Sequence, residues 1–187
     1  QATAASVARL AEAVGDILPI NVDRGPLCLS FSSDLSFHAG QLRGIEQLMI
    51  DMYESPKELH ALMAFMRDGV LANQQAAEEA GDLGAANQAN QSPYAHETVP
   101  PSPNSYGHRR RDLWAFMASQ EFEGVSPAMH EEFLLQYQLP ILKHWRLVGY
   151  GCCENLTHKI GILRQMPNLR VIAVTPRADV RRCAEQI

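Results

Sequence analysis

Apolar residues recur at helical spacing near the start of the chain. Val7, Leu10, Val14 and Ile17 fall on one face, which predicts an amphipathic helix over 3–18, closed by Pro19. A second stripe, Leu42, Ile45, Leu48, Met49 and Met52, predicts a helix over 41–53. Ser55-Pro56-Lys57-Glu58 then reads as a fresh helix start: Ser55 as cap, Pro56 at the first position, Glu58 completing a capping box. Leu59, Leu62, Met63, Met66 and Val70 supply its buried stripe, so the methionines here read as core, and Gly81 reads as a stop. Short apolar runs of a different kind, PLCLSF (26–31), LWAFMA (113–118), LVGYGC (147–152) and LRVIAV (169–174), predict strands. Helices are predicted from Ser126-Pro127 onward, over 156–166 and over 177–187. In the first of these Phe133, Leu134, Tyr137, Ile141 and Trp145 face inward, and Pro140 kinks or interrupts the run.

Residues 84–111 break the pattern. They are rich in Asn, Gln, Ser and Pro, so a short strand is expected near 84–89 and a long loop over 90–111. Alternating strands and helices imply a parallel sheet covered by helices in a single α/β domain, residues 1–187. A doubly wound sheet and a segment of a (β/α)8 barrel both fit. Four or five predicted strands are too few to close an eight-stranded barrel.

Composition narrows the function classes. The chain has 187 residues, 46% of them apolar and 20% charged, as in an ordinary soluble domain. Its formal net charge of −5 argues against a nucleic-acid partner. The one basic cluster, Arg109-Arg110-Arg111, suits a local anion site or a solvated turn. No apolar run approaches about 18 residues, so no membrane span is expected. Gln1-Ala2-Thr3-Ala4 lacks the marks of a signal peptide, and the chain reads as part of something longer. Cys28, Cys152, Cys153 and Cys183 suit neither a disulfide framework nor a CxxC zinc pair, so a reducing, cytoplasmic setting is expected.

The densest chemistry is Gly151-Cys152-Cys153-Glu154-Asn155, at the end of a predicted strand. A soft metal, a disulfide, a tetrapyrrole-like ligand and plain packing are all open readings. Neighbouring side chains on a strand point to opposite faces, so the two thiols converge only if the strand has ended by Gly151 or Cys152. The alternative is one buried cysteine and one at the rim. Glu154 suits a proton donor, a ligand or a carboxylate at a helix N-terminus. Asn155 suits a substrate contact or a cap for a helix starting near Leu156. Ser119, Gln120 and Glu121 follow the 113–118 strand, and Ser32 follows the 26–31 strand; parallel barrels gather such positions at one catalytic rim. Tyr94 and Tyr106, in the long loop, suit covering a flat ligand. His38, His96 and His108 also lie in loops, whereas His130, His144 and His158 read as satisfied surface or interface histidines on helices.

Three phrases carry a resemblance: LRGIEQLMIDMYESPKELHALMAFMRD (42–68), SQEFEGVSPAMHEEFLLQYQLPIL (119–142) and YGCCENLTHKIGILRQMPNLRVIAVTPRADV (150–180). Together they resemble the uroporphyrinogen decarboxylase superfamily, which also holds the cobamide-dependent methyltransferases. The resemblance implies the middle of a (β/α)8 barrel with its site at the C-terminal ends of the strands. It implies a cobamide- or thiol-linked methyltransferase acting on a small methylated substrate. Porphyrinogen decarboxylation in tetrapyrrole biosynthesis, which needs no metal or cofactor, is the alternative. A non-catalytic corrinoid- or tetrapyrrole-binding module, or an inactive fragment, is the third. In the methyltransferases this strand end carries a His-x-Cys zinc pair. Cys153 takes the cysteine position and Gly151 the histidine position, so Cys152 and Glu154 would stand in for the missing ligand. In the decarboxylases a serine near residue 120 contacts a substrate carboxylate, and Gln120 takes its place. Position past the strand ends and the resemblance together assign Glu154, Gln120 and Ser119 to catalysis, Ser32, Glu121, Asn155 and Tyr94 to substrate binding, and Cys153 and Cys152 to zinc. The implied partners are a small-molecule or tetrapyrrole substrate, a corrinoid protein and a second copy in a homodimer.

Overall fold

The computed structural model describes residues 2–25, 33–87 and 98–187. The predicted 26–31 strand, Cys28, Ser32, Tyr94 and His96 lie outside the described residues, as do residues 90–97 of the 90–111 loop.

Three strands form one sheet: β1 (Trp114–Met117), β2 (Leu147–Tyr150) and β3 (Leu169–Ile172). Their order is β1-β2-β3, and both pairings are parallel. All four residues of β1 are buried, so this strand has a covered surface on both faces, as parallel sheets require. The α/β class with parallel strands adjacent in chain order is therefore observed. Three strands do not close a barrel.

Helices supply the covering. α1 (Ala2–Val14) is followed by α2 (Leu35–Arg43), α3 (Ile45–Glu54) and α4 (Pro56–Ala80). The expected single helix over 41–53 is two helices. Gly44, at φ +77°, breaks the run, so Leu42 and Ile45 flank a bend and are exposed rather than buried. α4 begins at Pro56 as expected and ends at Gly81, whose φ of +74° is the left-handed closure that glycine favours. The Ser55 side chain makes no cap hydrogen bond, so the expected capping box does not form. Leu59, Met63 and Val70 of α4 are buried together with Leu48 and Met52 of α3.

In the described part of the expected 84–89 strand, the chain forms a 3-10 turn at Ala85–Asn87 instead. The helix expected from Ser126 starts with α5 (Pro127–His130), widens into a π turn over Glu131–Leu135 and continues as α6 (Gln136–Leu142), through Pro140. Ser126 caps it by accepting from the Met129 N–H at 3.2 Å. His60 of α4 stacks on Phe133 and bonds the Tyr137 hydroxyl at 2.6 Å, which joins α4 to this helix. The predicted 156–166 helix contracts to α7 (Ile160–Leu163), and the terminal one to α8 (Val180–Glu185), N-capped by Asp179. Among the described residues, no helix is long and apolar enough to cross a membrane.

Candidate functional site

The carboxyl ends of β1 and β2 release the chain into two short segments, 118–122 and 151–156. Gly151 makes the second turn possible. Its φ is +94°, and a Cβ there would meet Leu156 Cδ1 at 2.5 Å. β2 ends at Tyr150, so the condition for converging thiols is met. Cys152 Sγ and Cys153 Sγ lie 3.6 Å apart, with Cys153 exposed and Cys152 half-buried. Donation of its proton to Cys152 raises the Cys153 thiol above its usual range, and Glu154 nearby pushes the same way.

Glu154 is fully buried behind this pair. Its Oε1 accepts from the Ser119 N–H at 2.7 Å and the Ser119 hydroxyl at 3.1 Å. Its Oε2 accepts from the Cys152 N–H at 2.8 Å. One carboxylate therefore ties the end of β1 to the end of β2, and each of its oxygens is held by a backbone N–H. Among the described residues, no group of three or more His, Cys, Asp or Glu side chains is arranged to hold a metal ion. The two sulfurs do fit two positions of a tetrahedral site, because sulfurs about 2.3 Å from one ion sit roughly 3.8 Å apart.

A second carboxyl faces Glu154 from α2. Asp34 is buried, N-caps that helix by accepting from Ser36 N–H at 3.1 Å, and also accepts from the Ala118 backbone. Burial, with Glu121 and Glu154 nearby, raises it well above the ordinary carboxyl range. Ser36 donates to Glu121 Oε2 and receives the Glu121 N–H at 3.3 Å. Gly40 gives that side chain its space, since a Cβ there would fall 2.7 Å from Glu121 Cγ.

The polar layer beneath is buried too. His130 Nε2 and the Tyr150 hydroxyl are 3.0 Å apart, and the hydroxyl donates to Gln138 Oε1 at 2.7 Å. Gln138 Nε2 donates to the Ala118 carbonyl at 2.9 Å. Burial first, then Lys159, depresses His130 to about 3, so the ring is neutral. Burial also raises the Tyr150 phenol well above its ordinary value. Lys159 Nζ donates to the Phe122 and Glu123 carbonyls, and burial lowers it to about 8 against the pull of Glu154 and Glu123.

Of the residues expected from sequence, Ser119, Glu154 and Cys152 are joined directly, and Cys153 lies against Cys152. Glu121 faces α2 through Ser36, and Gln120 is half-buried beside it. Asn155 caps no helix: its Oδ1 accepts from Thr157 N–H at 3.0 Å, and its amide donates to Arg177 O at 3.0 Å, so it pins the rim loop. His130 is fully buried, a correction to its surface reading, because it faces Phe122 and Tyr150 across the core. Asp34, Gln138, Tyr150 and Lys159 escaped sequence reading. Only Asp34 carried a signal, an N-cap residue type ahead of an apolar position.

Comparison of the chain with protein-family models, with curated proteins and with solved structures gives no match.

Proposed function

We propose that this chain carries the thiol side of a methyl-transfer site on a uroporphyrinogen-decarboxylase-like (β/α)8 barrel, with a corrinoid protein or a small methylated compound as methyl donor. One observation carries the reading: two thiols 3.6 Å apart at the carboxyl end of the central described strand, one of them exposed, with a buried carboxylate fixing the turn behind them. Parallel sheets place their chemistry at such ends. Cys153 and Cys152 would hold zinc if it binds, and zinc would supply the Lewis acidity that keeps a thiol deprotonated. The chain's own part is to present the sulfur, hold the turn through Gly151 and Glu154, and keep the cluster beneath it dry.

Decarboxylation of a porphyrinogen is the second reading. Glu121 and Glu154 favour it, because carboxylates stabilise a pyrrolic cation. A polycarboxylate substrate meets repulsion from the same two groups, which is why methyl transfer ranks first. The assay is methyl transfer from methylcobalamin to an added thiol by the full-length protein, with metal content measured alongside. Cys153→Ser is expected to lower turnover by about 100-fold and Cys152→Ser by less. Turnover that survives both substitutions sinks the methyl-transfer reading. Porphyrinogen turnover by the same variants would install the second.

A further inference from the structure

The buried polar layer runs in one direction, and the direction can be deduced. The Ala118 carbonyl needs a donor, so Gln138 must turn its amide NH2 toward it, at 2.9 Å. Gln138 Oε1 then faces the Tyr150 hydroxyl at 2.7 Å and takes its proton. With that proton committed, the phenol oxygen accepts from His130 Nε2–H at 3.0 Å. The opposite tautomer would bury an N–H without an acceptor, since His130 Nδ1 has no hydrogen-bond partner. A bare lone pair at Nδ1 is the lesser penalty. The neutral ring that this requires agrees with the depression of His130 to about 3.

The chain of donors does not stop at Ala118. The Ala118 carbonyl and the Ser119 N–H belong to one peptide group, and that N–H donates to Glu154 Oε1 at 2.7 Å. A hydrogen bond accepted at the carbonyl polarises the same peptide and strengthens its N–H as a donor. The Ser119 side chain also meets the Tyr150 phenol directly, and the donors from His130 through Gln138 run toward the Ala118–Ser119 peptide and Glu154. His130, Tyr150 and Gln138 are fully buried, so water does not replace a lost member at its old strength.

We propose that His130, Tyr150 and Gln138 are positioning residues: they orient the Ala118–Ser119 peptide so that its N–H holds Glu154 in place behind Cys152 and Cys153. This deepens the reading above, because Glu154 fixes the turn that presents the thiols. Its test needs no methyl transfer, so the two fail separately.

The test follows the Ser119 amide by NMR and hydrogen exchange in the full chain. In the starting protein this proton is expected far downfield and strongly protected, since it meets a carboxylate in a buried site. Tyr150→Phe, nearly isosteric, is expected to move it upfield and to speed its exchange by about tenfold, with the Ala115 and Phe116 amides unchanged. Gln138→Glu distinguishes orientation from mere packing. As a carboxylic acid it donates to Ala118 and accepts from Tyr150; as a carboxylate it repels the carbonyl. The Ser119 signal should thus be native-like in acid and shift upfield as the pH rises through the ionisation of the new carboxyl. An unmoved Ser119 amide in Tyr150→Phe overturns the proposal, and so does an equal loss of protection across β1. If Tyr150→Phe does not fold, Gln138→Glu decides alone: a Ser119 signal indifferent to pH, or a second failure to fold, leaves only a packing role and overturns it.

Discussion

The two ends of the β1–β2 pair solve the problem of buried polarity differently. At the amino end, side chains bond to backbone and to charged partners near water. Asn168 Nδ2 donates to the carbonyls of Leu142 and Trp145, both at 2.8 Å, and Arg146 N–H reaches the carbonyls of Arg110 and Leu113. Arg110, itself buried, pairs with Glu78 at 2.6 Å, and Glu78 keeps part of its surface in water. At the carboxyl end, Asp34, Ser119, His130, Gln138, Tyr150 and Glu154 are buried together. Buried polar groups are expensive unless fully paired, so a fold concentrates them where they are used. The basic amino end is thus a structural staple, and the acidic carboxyl end is where function is to be sought.

The largest effect that separates the ends is acid sensitivity. His130 has a folded value of about 3 against 6.5 in the unfolded chain, because burial opposes its charge. Below 6.5 the unfolded chain binds a proton that the folded one refuses. Stability from this group is complete above 6.5 and lost as pH falls toward about 3, by at most about 5 kcal/mol. Asp34 has the opposite sign: its raised folded value favours the fold as pH falls toward 3.8. The difference between the starting protein and His130→Phe isolates the histidine. Urea unfolding across pH should show the variant losing less stability in acid; parallel curves would remove the histidine from the account.

Next comes the carboxylate itself. Glu154→Leu leaves the Ser119 N–H, the Ser119 hydroxyl and the Cys152 N–H without their acceptor, at a cost of about 3 kcal/mol or more. Arg110→Met at the amino end strands only a partly hydrated Glu78 and should cost about 1 kcal/mol. Denaturant midpoints compare the two, and equal losses would erase the distinction between the ends.

A smaller effect tests how tightly the carboxyl end is packed. Gly40→Ala puts a methyl 2.7 Å from Glu121 Cγ, so Glu121 must shift away from Ser36. The expected loss is about 1 kcal/mol, offset in part by the better helix propensity of alanine in α2. An amide shift at Glu121, whose N–H meets the Ser36 hydroxyl at 3.3 Å, should accompany it. A stabilised variant with an unmoved Glu121 would show a looser contact.

These features were unevenly legible in the sequence. The three described strands were found because each is a short apolar run between helical patterns, and α4 was found from its stripe and terminal glycine. α2 was missed because only Leu35, Ser36 and Ala39 of its nine residues are buried, too few for a stripe. Ser119, Glu154 and the cysteines were legible as positions just past strand ends. The layer beneath was not. Gln138 and His130 lie on a helix whose phase is altered by the π turn at Glu131–Leu135, and Tyr150 looks like one more apolar strand residue. Periodicity reports which face is buried, but not that a histidine, a tyrosine and a glutamine share one hydrogen-bonded chain.

The smallest effect concerns the thiols. Cys153 is exposed, so exchanging its sulfur should change stability by no more than about 0.5 kcal/mol. Reactivity is the sensitive readout. The Cys152 thiol, 3.6 Å away, is the leading cause of the upward displacement of Cys153, because it hydrogen-bonds the protonated form and opposes a second negative charge. Cys152→Ala removes both influences and leaves the weaker push from Glu154. The Cys153 ionisation should then fall toward the ordinary thiol range, so more thiolate is present at pH 7.5 and alkylation by iodoacetamide is a few-fold faster. Glu154→Gln should act in the same direction and by less, since its charge ranks below the neighbouring thiol. The alkylation rate as a function of pH gives both midpoints. If Cys152→Ala leaves the midpoint where it was, the sulfurs do not sense each other, and the thiol pair on which the methyl-transfer reading rests is reduced to two neighbours in a loop.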